Sequence, residues 1–119
     1  MSDATNQAAA SRKTAEIRRL NDALRKGETD DGVILVTQGV QAGGPAFQDE
    51  ALSAIRAFDA FTNDNDPYGE HDFAALDVDG ERLFFKIDYY DLTLTGGSAD
   101  PADPSVTRRV LTIMLASEY

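Results

Sequence analysis

The residues of this chain that could do chemistry are concentrated between Thr62 and Asp91, which hold its one histidine, His71, and a dense run of acids. An imidazole held by a carboxylate can act as a general acid or base. The simplest hairpin register sets Asp88 opposite His71. These two residues are therefore the candidate catalytic pair of a small hydrolase-like enzyme, with Ser98, Thr93 or water as the nucleophile. The alternative is a structural hydrogen bond between the same two side chains. We favour this alternative, and with it a protein that is not an enzyme.

A metal site is the second chemistry to test. Asp64, Asp66 and Gly69 match the first, third and sixth positions of a calcium-binding loop, but Tyr68 and Ala75 stand where two further ligands are needed. A weak cation site formed by Asp64, Asp66 and Glu70 remains an alternative. Because the chain has one histidine and no cysteine, it lacks the usual ligands for a transition metal. We expect no metal and no cofactor.

An acidic binding surface is the third possibility, and the charge distribution favours it. The net charge is −10, and residues 59–91 contain ten acids but only two bases. Aromatic side chains among charges suit protein contacts, because they bury area while the charges steer the encounter. We expect the partner-binding residues to be the acids, tyrosines and histidine of this stretch: Asp64, Asp66, Tyr68, Glu70, His71, Asp72, Asp88, Tyr90 and Asp91.

The expected partner is a basic protein, since a surface of this sign attracts cations and repels nucleic acid and acidic membranes. Our hypothesis is a non-catalytic acidic interaction or inhibitor protein. If the partner binds nucleic acid, the protein could act as a DNA mimic in an anti-defence role. The absence of cysteine and of a membrane-length apolar run predicts a cytoplasmic protein with no membrane partner.

The elements that must position these residues are predicted from periodicity and turn signals. Asp79-Gly80 is typical of a two-residue hairpin turn between strands at Glu70–Val78 and Glu81–Tyr90. The register sets Leu76 opposite Leu83, Ala74 opposite Phe85 and Asp77 opposite Arg82. The Val33–Thr37 run predicts a strand buried on both faces. The glycine-rich segment after it lacks the lysine and hydroxyl of a phosphate-binding loop, so we expect a connection.

Three helices complete the prediction. The first runs from Ser11 or Thr14 to Lys26, with a basic outer face, and the second covers Phe47–Phe61. The third begins at Pro104, because Val106, Val110, Ile113 and Met114 fall at helical spacing. Residues 1–10 are expected to be a flexible tail and residues 11–119 a single domain. The fold class is α+β: a small, mostly antiparallel sheet of about three strands packed by three helices, in the order αβαββα.

Three segments carry a family resemblance: FDAFTNDNDPYGEHDF, DGERLFFKIDYYD and DPADPSVTRRVLTIMLASEY. Over roughly Ile17 to Tyr119 the chain resembles the bacterial family called domain of unknown function 3768. The resemblance implies an alphaproteobacterial distribution and frequent occurrence on plasmids and other mobile elements. It implies no activity and no site residues.

Overall fold

A computed structural model describes the chain from residue 3 to residue 119, and the side chains from residue 7 onward. Helix α1 spans Asp3–Arg25, strand β1 Val33–Val36, helix α2 Gln38–Ala42 and helix α3 Pro45–Ala57. Strands β2, Phe73–Val78, and β3, Glu81–Tyr90, follow. Strand β4, Arg108–Leu115, lies between two short 3-10 turns at Pro104–Val106 and Ala116–Glu118.

The sheet is mixed and has four strands, one more than predicted, in the order β1-β4-β3-β2. Strand β1 runs parallel to β4, and the other two pairings are antiparallel. The α+β class is confirmed, as is the hairpin at Asp79-Gly80. The predicted pairs Leu76–Leu83, Ala74–Phe85 and Asp77–Arg82 are all present in its register.

The predicted last helix is wrong, because residues 108–115 form β4, an inner strand of the sheet. Val110 and Met114 lie on one face of this strand, and Leu111 and Ile113 lie on the other; all four are buried. A strand buried on both faces is a continuous apolar run, and such a run can imitate a helical stripe by chance. The Asp103-Pro104 sequence before it does cap a turn, but only a short 3-10 turn. Asp103 accepts a hydrogen bond from the Ser105 N–H, and the turn ends at Val106.

Three further boundaries differ from the prediction. Helix α1 begins at Asp3 and not at Ser11 or Thr14, so it includes residues 3–10 of the predicted tail, while residues 1 and 2 lie outside the described part. The glycine-rich connection contains the short helix α2. Strand β1 is an edge strand whose Ile34 and Leu35 side chains are exposed, so it is not buried on both faces.

One face of the sheet carries the three α-helices. Leu24 of α1, Val40 of α2 and Ile55 of α3 join a single apolar cluster with strand residues that include Leu83, Phe85, Ile87, Leu111 and Ile113. We call this the helix-covered face. The alternate strand residues form the open face, which includes Leu35, Phe73, Phe84, Lys86, Thr112 and Met114. Among residues 3–119, no helix is both long and apolar enough to cross a bilayer.

Candidate functional site

His71 is held by helix α1 and not by the hairpin. Its Nδ1 lies 2.9 Å from Oδ1 and 3.1 Å from Oδ2 of Asp22, and its ring stacks on Phe61 with 3.8 Å between ring centroids. The backbone of His71 is left-handed, with φ of 55°. Such a conformation is unfavourable for a residue with a side chain and persists only where its surroundings hold it.

The predicted pairing of His71 with Asp88 is therefore wrong. Strand β2 starts at Phe73, and the left-handed turn at His71 lies before it, so the ladder register does not extend to the histidine. Asp88 lies on the open face, where its carboxylate is 3.0 Å from the Lys86 ammonium. The two residues predicted to form a dyad thus have different partners.

The second ring nitrogen of His71 faces another carboxylate. Its Nε2 is 3.6 Å from Oδ2 of Asp66, and the Asp66 side chain is only 5% exposed. Asp66 Oδ1 also accepts the backbone N–H of His71, at 3.2 Å. These residues line a pocket of about 260 Å³ together with Arg18, Phe61, Thr62, Asn63 and Gly69.

This arrangement restricts what the imidazole can do. A general base needs a free nitrogen within hydrogen-bond reach of the proton it removes. Here one nitrogen bonds to Asp22, and the other faces the Asp66 carboxylate at 3.6 Å, beyond hydrogen-bond distance. The hydroxyls proposed as nucleophiles have local partners instead: Ser98 bonds with Thr107, and Thr93 bonds with Asp91. The geometry therefore favours a structural clamp that ties the 59–72 loop to α1.

The carboxylate of Asp22 also pairs with Arg25, a basic residue in the last turn of α1. The Arg25 side chain is 1% exposed, and its NH2 donates to Asp22 Oδ1 at 2.9 Å. Its NH1 donates to the carbonyls of Ile55 and Phe58, each at 2.8 Å. Arg25 thus satisfies carbonyls at the C-terminal end of α3, which a helix leaves without partners.

A buried polar network lies beside this clamp. Asn21 Nδ2 donates to the Tyr89 hydroxyl at 2.7 Å, and that hydroxyl donates to Glu70 Oε1, also at 2.7 Å. Arg109 Nε donates to Asn21 Oδ1 at 2.8 Å. Burial, reinforced by the bond to Glu70, raises the pKa of Tyr89 far above its ordinary value. Burial likewise lowers the pKa of Arg109.

Sequence reasoning missed Asn21, Asp22, Arg25 and Arg109 as parts of this region. Arg109 lies in the segment predicted as a helix, and Asp22 is one turn before Arg25 on α1. The spacing of Asp22 and Arg25 is a local sign of an ion pair. No local pattern shows that such a pair is buried against a loop 49 residues further along the chain.

The nine predicted partner-binding residues do not form one surface. Asp66, Glu70 and His71 are engaged internally, whereas Asp64 and Tyr68 project outward, Tyr68 with 80% of its surface exposed. Asp72 is half-buried, and burial, with the nearby acids Glu70, Asp66 and Asp88, raises its pKa. Asp88 and Tyr90 lie on the open face. Asp91 accepts hydrogen bonds from Thr93 and Thr95, which lower its pKa.

The alternative cation site is dispersed as well. Asp64 is exposed, Asp66 faces His71, and Glu70 accepts from Tyr89. In the part of the chain that the structure describes, no group of three or more acidic or histidine side chains is placed to hold a metal ion.

Acidic side chains do come together at the hairpin turn. A hydrogen bond with the nearby Asp79 side chain, and the like charge of that group, raise the pKa of the Glu50 carboxyl on α3. Asp79 and Glu81 line a pocket of about 330 Å³ whose other walls are Gly39, Gly43, Phe47 and Leu115. We call this set, with Glu50, the turn-end surface. It combines a partly apolar floor with an acidic rim.

A carboxylate of the same chain is bound at the glycine-rich segment beside this pocket. Glu118 accepts hydrogen bonds from the Thr37 hydroxyl at 2.7 Å, the Gly39 N–H at 3.0 Å and the Leu115 N–H at 2.8 Å. These bonds lower the pKa of Glu118. The N-terminal end of α2 is therefore bonded to the chain's own carboxylate.

Fold and site together define a small α+β protein with a mixed sheet, one open sheet face and a polar clamp that fastens its long loop to α1. Residues 36–118 match the family described as protein of unknown function (DUF3768), and the chain belongs to that family. The match covers more than two thirds of the chain and leaves α1 outside it. No curated protein and no solved structure matches the chain.

Proposed function

We propose that the protein is a non-catalytic, acidic interaction protein that binds a basic protein partner through the turn-end surface. The observation that carries this proposal is the pocket at the hairpin turn, whose walls bring Asp79 and Glu81 together with Phe47 and Leu115. Asp79 also lies close enough to Glu50 to raise the pKa of the Glu50 carboxyl. Two like charges held together by the fold repel each other, and a cation placed between them removes that repulsion.

The chemistry of the pocket indicates which partner side chain fits. Lysine and arginine carry an apolar stem and a charged end. The stem matches Phe47, Leu115 and the two glycines, while the charged end meets Asp79, Glu81 and Glu50. The net charge of −10 adds long-range attraction for a basic partner, which raises the rate of encounter.

This proposal moves the binding surface away from the loop acids that the sequence favoured. Asp66 and Glu70 have internal partners, and Asp88 pairs with Lys86. A DNA mimic needs a continuous row of free acids that imitates successive phosphates. One form of the proposal is that the partner binds nucleic acid and is inhibited. In that case the turn-end surface would hold a lysine or arginine that the partner uses to bind nucleic acid.

The test compares two double variants that remove the same charge. Glu50→Gln with Asp79→Asn alters the turn-end surface, while Asp59→Asn with Asp64→Asn alters exposed acids of the loop. The probe is an arginine- and leucine-containing peptide, with binding measured by titration calorimetry at low and high salt. We expect salt-sensitive binding that falls about tenfold in the turn-end variant and less than twofold in the loop variant.

Equal losses in both variants, or a loss confined to the loop variant, would overturn the assignment of the surface. The inhibitor form is tested separately: a basic protein captured from a lysate of the source bacterium should release duplex DNA when the wild-type protein is added. If the captured protein kept its DNA, the proposal that this chain acts as an inhibitor would be wrong.

A hydrolase-like activity of His71 is the competing hypothesis, with Asp22 now the orienting carboxylate. It predicts turnover of ester or phosphoester substrates that disappears in His71→Gln while circular dichroism is unchanged. Such a result would replace the binding proposal, whereas a folded His71→Gln variant that keeps peptide binding supports it.

A further inference from the structure

We infer that the open face of the sheet is the interface of a homodimer. The three α-helices all pack on the opposite face, where their apolar residues join the single core cluster. The open face is therefore a four-stranded surface without a helical layer.

The middle of this face combines apolar and aromatic side chains with Thr112 and Lys86. One row runs across all four strands in register: Leu35, Thr112, Lys86 and Phe73. The next row consists of Met114, Phe84 and Ala75. The Leu35 side chain is 50% exposed, and Tyr119, 76% exposed, lies edge-on against both Phe73 and Phe84. Leu35 and Tyr119 are thus presented to solvent, while Phe73 and Phe84 are half-buried and Met114 is buried on the same face.

Charge identifies a second copy as the occupant. On a chain of net charge −10, the open face is close to neutral. Its acids are paired with bases on the same face: Arg82 with Asp77 at 3.3 Å, and Lys86 with Asp88 at 3.0 Å. Arg108, at the far end of β4, adds a further positive charge. Two strongly acidic molecules repel through most of their surfaces, but this face lets them approach.

The face is also complementary to itself. A two-fold axis that crosses the strands reverses β3 in the second copy. It therefore lays the Arg82 end of one β3 over the Asp88 end of the other, while the aromatic rows meet in the middle. Isologous contacts of this kind close into a dimer and do not propagate. Stacked sheets pack about 10 Å apart, which leaves room for interdigitated side chains.

The area predicts a weak dimer. Four strands about 4.8 Å apart and on average about seven residues long cover roughly 450 Å² on each copy, or about 900 Å² in total. This is near the lower limit for specific protein–protein interfaces. We therefore expect a Kd of about 1–100 μM and a mass that depends on concentration. Because the turn-end surface lies outside the interface, a dimer would present two of them.

The experiment uses Thr112, a half-buried side chain near the middle of the open face. Thr112→Lys reduces the net negative charge, so it would favour any dimer that forms elsewhere, yet it places two ammonium groups inside an open-face dimer. Thr112→Val keeps the shape and adds apolar surface. Sedimentation velocity over a micromolar-to-millimolar series should show the wild type and Thr112→Val approaching twice the monomer mass of 12.9 kDa. Thr112→Lys should stay monomeric, with an unchanged circular dichroism spectrum.

A second pair of variants keeps the inference falsifiable if Thr112→Lys does not fold. Leu35→Asp and Ile34→Asp lie next to each other on β1, on opposite faces, and both side chains are exposed. Leu35→Asp should abolish the dimer, and Ile34→Asp should retain it. A wild type that stays monomeric throughout the series, or a dimer lost in Ile34→Asp and kept in Leu35→Asp, would overturn the inference; the latter outcome would point to pairing through the β1 edge.

Discussion

The carboxylate of Asp22 bonds to His71 across 49 residues of sequence and to Arg25 one turn away on the same helix. This single side chain therefore links α1 to the loop before β2 and, through Arg25, to the end of α3. The region that suggested a catalytic histidine is a junction between three parts of the fold. Its importance for folding can be measured without any knowledge of the partner.

Removal of the Asp22 carboxylate should destabilise the protein strongly. Asp22→Ala leaves the buried Arg25 guanidinium without its counter-ion and His71 without its acceptor. We expect the free energy of unfolding to fall by about 3 kcal/mol, the lower end of the range for breaking a buried pair, since Asp22 is partly exposed. Urea unfolding at neutral pH provides the measurement.

The matched control for Asp22→Ala is Glu16→Ala on the same helix. Glu16 pairs with Arg19 at the surface, and exposed ion pairs contribute at most about 1 kcal/mol. If both variants lost the same small amount of stability, the junction would not depend on Asp22.

Arg25→Lys tests whether the geometry of the guanidinium matters in addition to its charge. A planar guanidinium can donate in several fixed directions, as Arg25 does to Asp22 and to the carbonyls of Ile55 and Phe58. The lysine ammonium is a single point of charge at the end of a shorter side chain, so it cannot reach all of them. We expect a loss of about 2 kcal/mol in urea unfolding, which reflects buried acceptors left without partners. Arg19→Lys, on the exposed side of α1, should change the stability by less than about 0.5 kcal/mol.

Local signals in the sequence predicted the hairpin well and the region around it poorly, for a physical reason. The register from Phe73 to Lys86 follows from a turn and from alternating residues, which are properties of adjacent positions. The partner of His71 depends on where α1 packs, and the parallel pairing of β1 with β4 joins segments far apart in the chain. Neither relationship produces a periodic pattern in the sequence.

The same limit explains the error in β4. Its apolar run fits helix and strand about equally, because both of its faces are buried. Only its neighbours β1 and β3 decide between the two, and their contacts are non-local. The burial of Arg25 and Arg109 could likewise not be predicted, because a basic residue on a helix or near a chain end is usually exposed.

The pH dependence of stability should carry opposite contributions from Asp72 and Asp91. Burial raises the pKa of Asp72 above 3.8, so the folded state binds this proton more tightly than the unfolded chain does. Its contribution to stability is fully present below 3.8 and is lost as pH rises through the folded pKa. Asp72→Asn should therefore raise the free energy of unfolding at neutral pH, and the gain should vanish in acid.

Asp91 provides the contrast. Hydrogen bonds from the Thr95 N–H and the Thr93 hydroxyl lower its pKa below 3.8, so its contribution is present above that value and is lost as pH falls through the folded pKa. Asp91→Asn should lower stability at neutral pH. Urea unfolding of both variants at neutral and acidic pH measures the sign of each change in the free energy of unfolding. If both variants changed stability in the same direction at neutral pH, the opposite roles assigned to Asp72 and Asp91 would be wrong.

Tyr89 and Tyr90 are neighbours on opposite faces of the sheet, which makes them a matched pair for measuring the polar network. Tyr89→Phe removes a hydroxyl that accepts from the buried Asn21 and donates to Glu70. Each of those groups loses a partner in a region away from water, so the free energy of unfolding should fall by about 1–2 kcal/mol. In Tyr90→Phe the lost hydroxyl has no hydrogen bond to any other residue in the described range, so the change should stay below about 0.5 kcal/mol. The measurement is urea unfolding at low protein concentration, where the open face is not covered by a second copy. Equal effects at the two positions would mean that the Asn21–Tyr89–Glu70 network contributes no more to stability than an exposed hydroxyl does.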